Sequence, residues 1–331
     1  MRSAVVVLAW NAAEAVQACL HALQQLNPAA DQIVVVDNGS HDGSADLVAT
    51  QFPEVVLIRH TQNLGFALGM NAGIAHLLAQ PAPPEVIVVL NQDTLVDPGW
   101  LAALLAVMES DAQIAAVGSQ IRYPDGKLQH AGVTLAWPRG VAQHRGLHTT
   151  DHYQSGDYVT GAALALRSTA LQQVGLFDPG YTPAYYEDVD LCWRLRQAGY
   201  QIRYAPAATL VHQESLSISD PITRSAYYNR GRLRFVIKTY AWDDLIGVFA
   251  QAEMAFVRQY AHTFEGTVLR WAYDATLDTL DAILADRQAI GMLTPTDAHA
   301  QLTRILIGLR RALFHSLYRR SIAAVNTLAS L

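Results

Sequence analysis

The stretch AYYEDVDLCWRLR, residues 184 to 196, crowds Glu187, Asp188 and Asp190 into four positions of a chain that is only 16% charged. Carboxylates this close repel one another and must be met by a partner, a helix N-terminus, solvent or a metal. At a helix start they complement the dipole. Facing a bound hydroxyl, one of them can take its proton as a general base.

Other polar clusters end apolar runs. In DNGSHDGS, residues 37 to 44, Asp37 can accept a hydrogen bond from a ring N–H while Gly39 permits close approach. The same string also reads as a turn in which Asn38, Ser40 and Asp42 cap a helix. Asp93 in LNQDT suits a divalent metal whose other ligands are phosphate oxygens, or an ordinary turn. His212 closes ATLVH, where a satisfied edge histidine and a ligand are both admissible. Trp10 and Asn11 end the first apolar run. His144, His148 and His152 recur every four residues, a zinc-like spacing on a helix, but Gly146 and its polar neighbours indicate a loop.

In NLGFALGMNAG the glycines fall at 65, 69 and 73, between and beyond Asn63 and Asn71. This is not G-x-G-x-x-G, so a dehydrogenase or epimerase on a dinucleotide fold lacks its fingerprint. Small residues there let backbone approach a ligand, or let a helix pack tightly on a sheet.

The elements that must hold these residues follow from periodicity. AVVVLAW, QIVVVDNGS, VVLIR and EVIVVLNQD read as buried strands, with helices between them, including one near 66 to 79. This predicts a mostly parallel α/β sheet with helices on both faces, which binds ligands beyond the carboxyl ends of its strands. Farther on, YPDG is a turn, YVTGAALALRS a strand, and QIRYAP and ATLVH two more. From about residue 220 the pattern is helical throughout. The helix near 302 to 320 gathers Leu302, Ile305, Leu306, Leu309, Leu313 and Leu317 on one face, opposite Arg304 and Arg311.

As an ordered set, these strings resemble the inverting family 2 glycosyltransferases of the GT-A fold group, especially rhamnosyltransferase-like members that build bacterial surface polysaccharides. The resemblance rests on VVVDNGSxDGS, NxGxxxGxN, LNQDT, YPDGxxQHAG, VTGAxLxxR, GxFDxxYxxYxEDVDLxxR and the histidine after the last strand, over residues 3 to 216. It implies a GT-A domain over 1–216 and a helical C-terminal region over 217–331 for packing, oligomer or membrane-surface contact. It further implies that Asp37 reads a uracil or thymine ring, with Trp10, Asn11, Asn63, Gly65, Asn71 and Gln92 lining the nucleotide pocket. Asp93 and His212 would hold Mg²⁺ or Mn²⁺, Thr160 and Gly161 would line the donor sugar and acceptor, and Asp188 would be the general base with Glu187 its companion. The chain departs from the family in having Asn91-Gln92-Asp93 in place of D-x-D, and Met70 where many relatives carry a basic residue.

The implied partners are a dTDP- or UDP-linked sugar, favoured as rhamnose, and a glycan or lipid-linked acceptor. A noncatalytic nucleotide-sugar or glycan-binding subunit is the alternative. A net charge of -6 disfavours nucleic acid, and Cys19 and Cys192 form no C-x-x-C pair. No signal peptide or bilayer-spanning run is read, so the expectation is a cytoplasmic protein with a peripheral contact at the inner membrane face through the basic helices at 224–238 and 304–320. The apolar tail is also a candidate homodimer surface.

Overall fold

The computed structural model describes residues 1–144, 157–213 and 220–328, the side chains of 144, 264 and 314–328 excepted. The chain divides into two compact units: Met1–Leu135 with Ala142–Ser219, and Ala136–Val141 with Asp220–Leu331.

The first unit opens with β1 (Ser3–Ala9), α1 (Ala13–Gln24), β2 (Gln32–Asp37), α2 (Ser44–Gln51), β3 (Val56–Arg59), α3 (Gly65–Leu78) and β4 (Val86–Asn91). It continues with β5 (Thr94–Val96), α4 (Trp100–Ser110), β6 (Ile114–Arg122), β7 (Leu128–His130), β8 (Val133–Ala136) and β9 (Val141–His144). β10 (Ala163–Arg167), α5 (Ser168–Val174), α6 (Glu187–Gln197) and β11 (Gln201–His212) complete it. The main sheet runs β3-β2-β1-β4-β10-β6-β11-β5, with β7 on β6.

The valine-rich strands β1 and β4, buried on both faces, form the parallel part with β2, buried over Val34–Asp37, and the more exposed edge strand β3. Val5, Val7, Val35, Val88 and Leu90 pack with Val16, Leu20, Leu101 and Leu104 in one core. On α3, a Cβ added at Gly73 would meet Val6 Cγ1 at 2.4 Å, and one at Gly69 would meet Leu8 Cδ1 at 2.5 Å, so these two glycines serve close helix-to-sheet packing.

The second half makes the sheet mixed. β10 runs antiparallel to both β4 and β6, whereas β6 and β11 are parallel and β5 is antiparallel to β11. Reversing β10 brings its beginning to the edge where β1, β2 and β4 end, and Asn91 N donates to Ala162 O there at 2.9 Å. QIRYAP and ATLVH, expected as two strands, form the single strand β11, whose pairing with β6 jumps between Ala205 and Thr209. The jump accommodates Pro206, which has no N–H for the ladder. The strand expected over YVTGAALALRS starts only at Ala163, leaving Thr160 and Gly161 in the connection before it.

The second unit contains α7 (Pro221–Thr239), the one-turn α8 (Trp242–Asp244), a π-turn at Leu245–Phe249, α9 (Ala250–Tyr260), α10 (Phe264–Asp278), α11 (Leu280–Ala289) and α12 (Ala298–Leu328). Its interior holds a charged cluster. Fully buried Glu253 accepts from Arg232 Nη2 at 2.6 Å, Arg139 Nε at 2.7 Å and the Tyr273 hydroxyl at 2.9 Å. Burial alone would raise the Glu253 carboxyl, but the two guanidinium groups overcome it and hold that carboxyl below its usual range. Arg139 lies in the short segment Ala136–Val141, where Trp137 also stacks on Tyr240 at 5.0 Å.

α7 corrects one expectation. Arg232, Arg234 and Lys238 are buried within the helical unit, and Arg234 pairs with Asp286, so these charges are not presented to an anionic surface. On α12, Leu302, Leu306, Leu309 and Leu313 are buried and Arg304 and Arg311 exposed. Among the described residues no helix is long and apolar enough to cross a membrane.

Candidate active site

Register aligns the strand ends: Ala9 lies opposite Asp37, and Leu8 opposite Asn91. The residues after β1, β2 and β4 therefore share one edge. Gln92 clamps the end of β1 through both amide groups, which pair with the Trp10 backbone N–H and carbonyl at 3.0 Å each. Asn11, at φ 53°, takes the Ser40 hydroxyl on its backbone N–H at 2.8 Å and accepts from His41 N at 3.0 Å. Trp10, Asn11, Asp37 and Gln92 are thus gathered, with Asp37 buried and accepting from Ser40 N at 3.3 Å. Gly39 sits at φ +78°, and a Cβ there would lie 2.5 Å from the Gln62 carbonyl carbon, so only glycine fits the turn.

Asn38 joins this edge to the start of α3. Its amide donates to Asn63 Oδ1 at 3.0 Å and accepts from Leu64 N at 3.0 Å, while Gly65 N donates to Asn63 Oδ1 at 2.8 Å. Gly65, at φ +81°, is the close-approach position, since a Cβ would meet Pro183 O at 2.9 Å. Asn71 is one turn or more farther along, and both its amide groups are engaged by the Phe177 backbone, at 2.8 and 3.0 Å. It fastens α3 to that loop.

At the other side of the edge, β5 and β11 pair so that His212 lies opposite Thr94, and Gln213 N donates to Asp93 O at 2.9 Å. Asp93 Oδ1 stands 3.1 Å from His212 Nε2, with both side chains nearly buried. Without a cation an Nε2–H of the ring donates to Asp93; with one, the Nε2 lone pair and the carboxylate both face the ion. A carboxylate oxygen and an imidazole nitrogen at that separation match two neighbouring ligands of a divalent ion held at about 2.1 Å. Among the described residues no group of three or more His, Cys, Asp or Glu surrounds a common point. The pair fits a metal that draws its remaining ligands from diphosphate and water, as the chemistry of Mg²⁺ and Mn²⁺ favours.

The carboxylates of α6 complete the edge. Tyr185 and Tyr186 both adopt left-handed backbone, φ 79° and 77°, a strained entry that delivers Glu187 and Asp188 into the first turn. Asp188 Oδ2 accepts from Gly161 N at 3.0 Å, Oδ1 accepts from Val189 N at 2.8 Å, and the Thr160 hydroxyl adds to the set. Burial raises the Asp188 carboxyl, and these donors offset part of that rise. Glu187 is buried with Oε2 unpartnered, and burial followed by the Asp188 charge pushes its carboxyl well above the usual range. The pair therefore holds a proton best on Glu187, leaving Asp188 as the carboxylate. Asp190 faces inward to Arg194 at 2.7 Å and Tyr181 at 3.2 Å, while Arg194 also binds the carbonyls of Val174 and Leu176. It anchors α6 rather than facing a ligand.

Two residues without a sequence-assigned role stand in the site. Gln129 Oε1 lies 2.9 Å from His212 Nδ1, and His130 Nε2 accepts from Thr160 N at 3.4 Å. Both belong to QHAG, a string that flagged the region without indicating what either side chain does. His148 and His152 fall outside the described residues, as does the His144 side chain.

A family model described as Glycosyl transferase family 2 matches residues 4–170, half of the chain. The chain belongs to this family. Among curated relatives of this family 2 glycosyltransferase, the N-acetylglucosaminyl-diphospho-decaprenol L-rhamnosyltransferase of Mycobacterium tuberculosis is 29% identical over 231 residues, 62% of this chain and 74% of the relative. A pre-mycofactocin glycosyltransferase of the same organism is 31% identical over 200 residues, 60% of this chain and 40% of the relative. An uncharacterised protein, y4gI, of Sinorhizobium fredii is 28% identical over 200 residues, 56% of this chain, and the match spans only 21% of that protein's length. The fold is shared with GalNAc-T7, solved with UDP, GalNAc and Mn²⁺, at TM-score 0.61 and 15% identity, covering 85% of this chain and 57% of that one. It is shared also with the mannosyltransferase PcManGT of Pyrobaculum calidifontis, solved with GDP-Man and Mn²⁺, at TM-score 0.54 and 19% identity, covering 96% and 86% of the two chains. The architecture is accordingly GT-A-like, a mixed sheet flanked by helices with a helical C-terminal region.

Proposed function

We propose that the enzyme is an inverting, non-processive glycosyltransferase that moves a sugar, favoured as rhamnose, from a dTDP- or UDP-linked donor to a hydroxyl of a glycan or lipid-linked acceptor. The observation that carries this reading is the Asp188 carboxylate, fixed by the Gly161 N–H at a helix start beside the strand ends that gather Asp37 and Asp93. The donor preference draws on the rhamnosyltransferase relative. The unit built on the sheet is the transferase proper on this reading.

In the proposed reaction, Asp188 takes the proton of the acceptor hydroxyl as its oxygen attacks the anomeric carbon. The bond to the diphosphate oxygen breaks on the opposite face, so configuration inverts. Glu187, kept protonated by burial and by its neighbour, prevents a second charge from opposing the base. Asp37, at the end of β2, is placed to accept from the N–H of a pyrimidine ring, and the Asn38–Asn63–Gly65 contacts shape the wall beside it. Asp93 and His212 would hold Mg²⁺ or Mn²⁺, which when bound neutralises charge on the departing diphosphate. A lipid-linked acceptor would be met at the cytoplasmic face of a membrane.

The test is calorimetric titration with dTDP, UDP and GDP, with and without Mn²⁺, followed by product analysis with the donor whose nucleotide binds. Tight pyrimidine diphosphate binding and an inverted glycoside support the proposal. A protein that binds none of these nucleotides under either condition does not carry the pocket described.

A further inference from the structure

We propose that Gln129 is a positioning residue that sets the tautomer of His212 and so turns its Nε2 lone pair toward Asp93. This rests on the reading of Asp93 and His212 as metal ligands, and it assigns to the chain's own second layer a part that neither of those residues explains.

The three-residue strand β7 is the device. It pairs with the end of β6, with Ile121 opposite His130 and Arg122 opposite Leu128. Successive side chains of a strand point to opposite faces. Gln129 accordingly reaches His212, whereas His130 is buried and meets the Thr160 backbone.

The hydrogen-bond roles then follow from chemistry. Gln129 Oε1 is an amide oxygen and can only accept, so the contact of 2.9 Å requires His212 Nδ1 to carry a hydrogen. On the ring's other side, the Asn91 amide nitrogen, which can only donate, lies 3.5 Å from Nε2. Both contacts suit the neutral tautomer with N–H at Nδ1 and the lone pair at Nε2, the form that binds a cation; the Asp93 carboxylate, which only accepts and lies 3.1 Å from Nε2, suits it once a cation lies between them. A metal-binding histidine whose second nitrogen donates to a fixed acceptor is oriented and made more basic by it, and loss of such an acceptor weakens metal binding about 10- to 100-fold. With one carboxylate where the family pattern has two, that contribution matters more here.

The experiment uses the full chain. Mn²⁺ binding in the presence of saturating UDP or dTDP is measured by electron paramagnetic resonance for the wild type, Gln129→Leu and Gln129→Glu, each checked for an unchanged thermal melt. The tautomer is read in the diamagnetic Mg²⁺–nucleotide complex, at the Mg²⁺ concentration that saturates the wild type, from long-range ¹H–¹⁵N correlations of the imidazoles, with the His212 signals assigned by their loss in His212→Ala. We expect Gln129→Leu to weaken Mn²⁺ about 10- to 100-fold, and Gln129→Glu, which keeps an acceptor oxygen, to stay within a few-fold of wild type. The His212 spectrum should show Nδ1–H in the wild type and lose that pure form in Gln129→Leu. A side chain that served only packing would give the reverse order, with leucine tolerated and the added charge of glutamate harmful. Wild-type Mn²⁺ binding with Gln129→Leu unaffected overturns this inference and leaves the metal site standing. Failure of the wild type itself to bind Mn²⁺ with either nucleotide overturns the metal site, and this role with it.

Discussion

Asp188 on α6 and Gly161, just ahead of β10, are joined by a hydrogen bond of 3.0 Å from the glycine N–H to the carboxylate. The proposed base is thereby fixed to the sheet edge, not only to its own helix. Asp188→Asn keeps the shape and removes the basicity. Sugar transfer should fall by about 10²- to 10⁴-fold in kcat, while nucleotide affinity in calorimetry stays within two- to three-fold. Equal losses in both would show that Asp188 serves binding.

Glu187 gives a prediction with a definite sign. Burial and the Asp188 charge raise its folded-state value, so its contribution to stability is complete below the unfolded glutamate value of about 4.3 and is lost as pH rises through the folded value. Glu187→Gln mimics the protonated form. Its melting temperature should decline less than the wild type's between mildly acidic and alkaline pH, with kcat retained within several-fold. A wild-type-like pH slope in the variant would remove Glu187 as the source.

Metal removal should act at Asp93 and His212 together. Chelation, Asp93→Ala and His212→Ala are each expected to weaken UDP or dTDP binding at least about ten-fold in Mn²⁺. In metal-free buffer the two variants should match the wild type. Titration calorimetry under both conditions checks it, and a loss persisting without metal would point to direct nucleotide contacts instead.

In the helical unit, Glu253→Gln leaves Arg232 buried without a counter-charge. Breaking such a pair costs about 3–5 kcal/mol, which urea unfolding at neutral pH should register. Since Arg232 and Arg139 hold Glu253 below its usual range against the effect of burial, its contribution is present above the unfolded glutamate value and is lost as pH falls through the folded value. Wild-type stability should therefore drop in acid more steeply than that of the variant.

The parallel strands were legible because buried valine runs separated by amphipathic helices satisfy both their faces in few architectures besides a helix-covered parallel sheet. The ends of those runs, at Asp37 and Asp93, were legible for the same reason. The reversal of β10 was not, since direction leaves no mark in ALALR, and without it Thr160 and Gly161 would not reach the carboxyl edge. Asn71 and Gln92 show a second limit. Their types suit ligand binding, but the sequence does not show that each amide also binds backbone brought from distant sequence, Phe177 and Trp10. The basic residues of α7 show a third, because Arg232 looks solvent-facing until the fully buried Glu253 that neutralises it is placed beside it.

The short segment Ala136–Val141 finds its partners far downstream: Arg139 in Glu253, Trp137 in Tyr240, and Gly140 tight against Val236. A chain cut before Asp220 would keep the transferase motifs but strand an arginine and a tryptophan whose companions had been deleted. Grafting the C-terminal helices of a relative onto this sheet would meet the same obstacle unless residues 136 to 141 travelled with them. For recombination, natural or in the laboratory, the interchangeable module is therefore discontinuous in sequence, and its smaller piece is a six-residue loop.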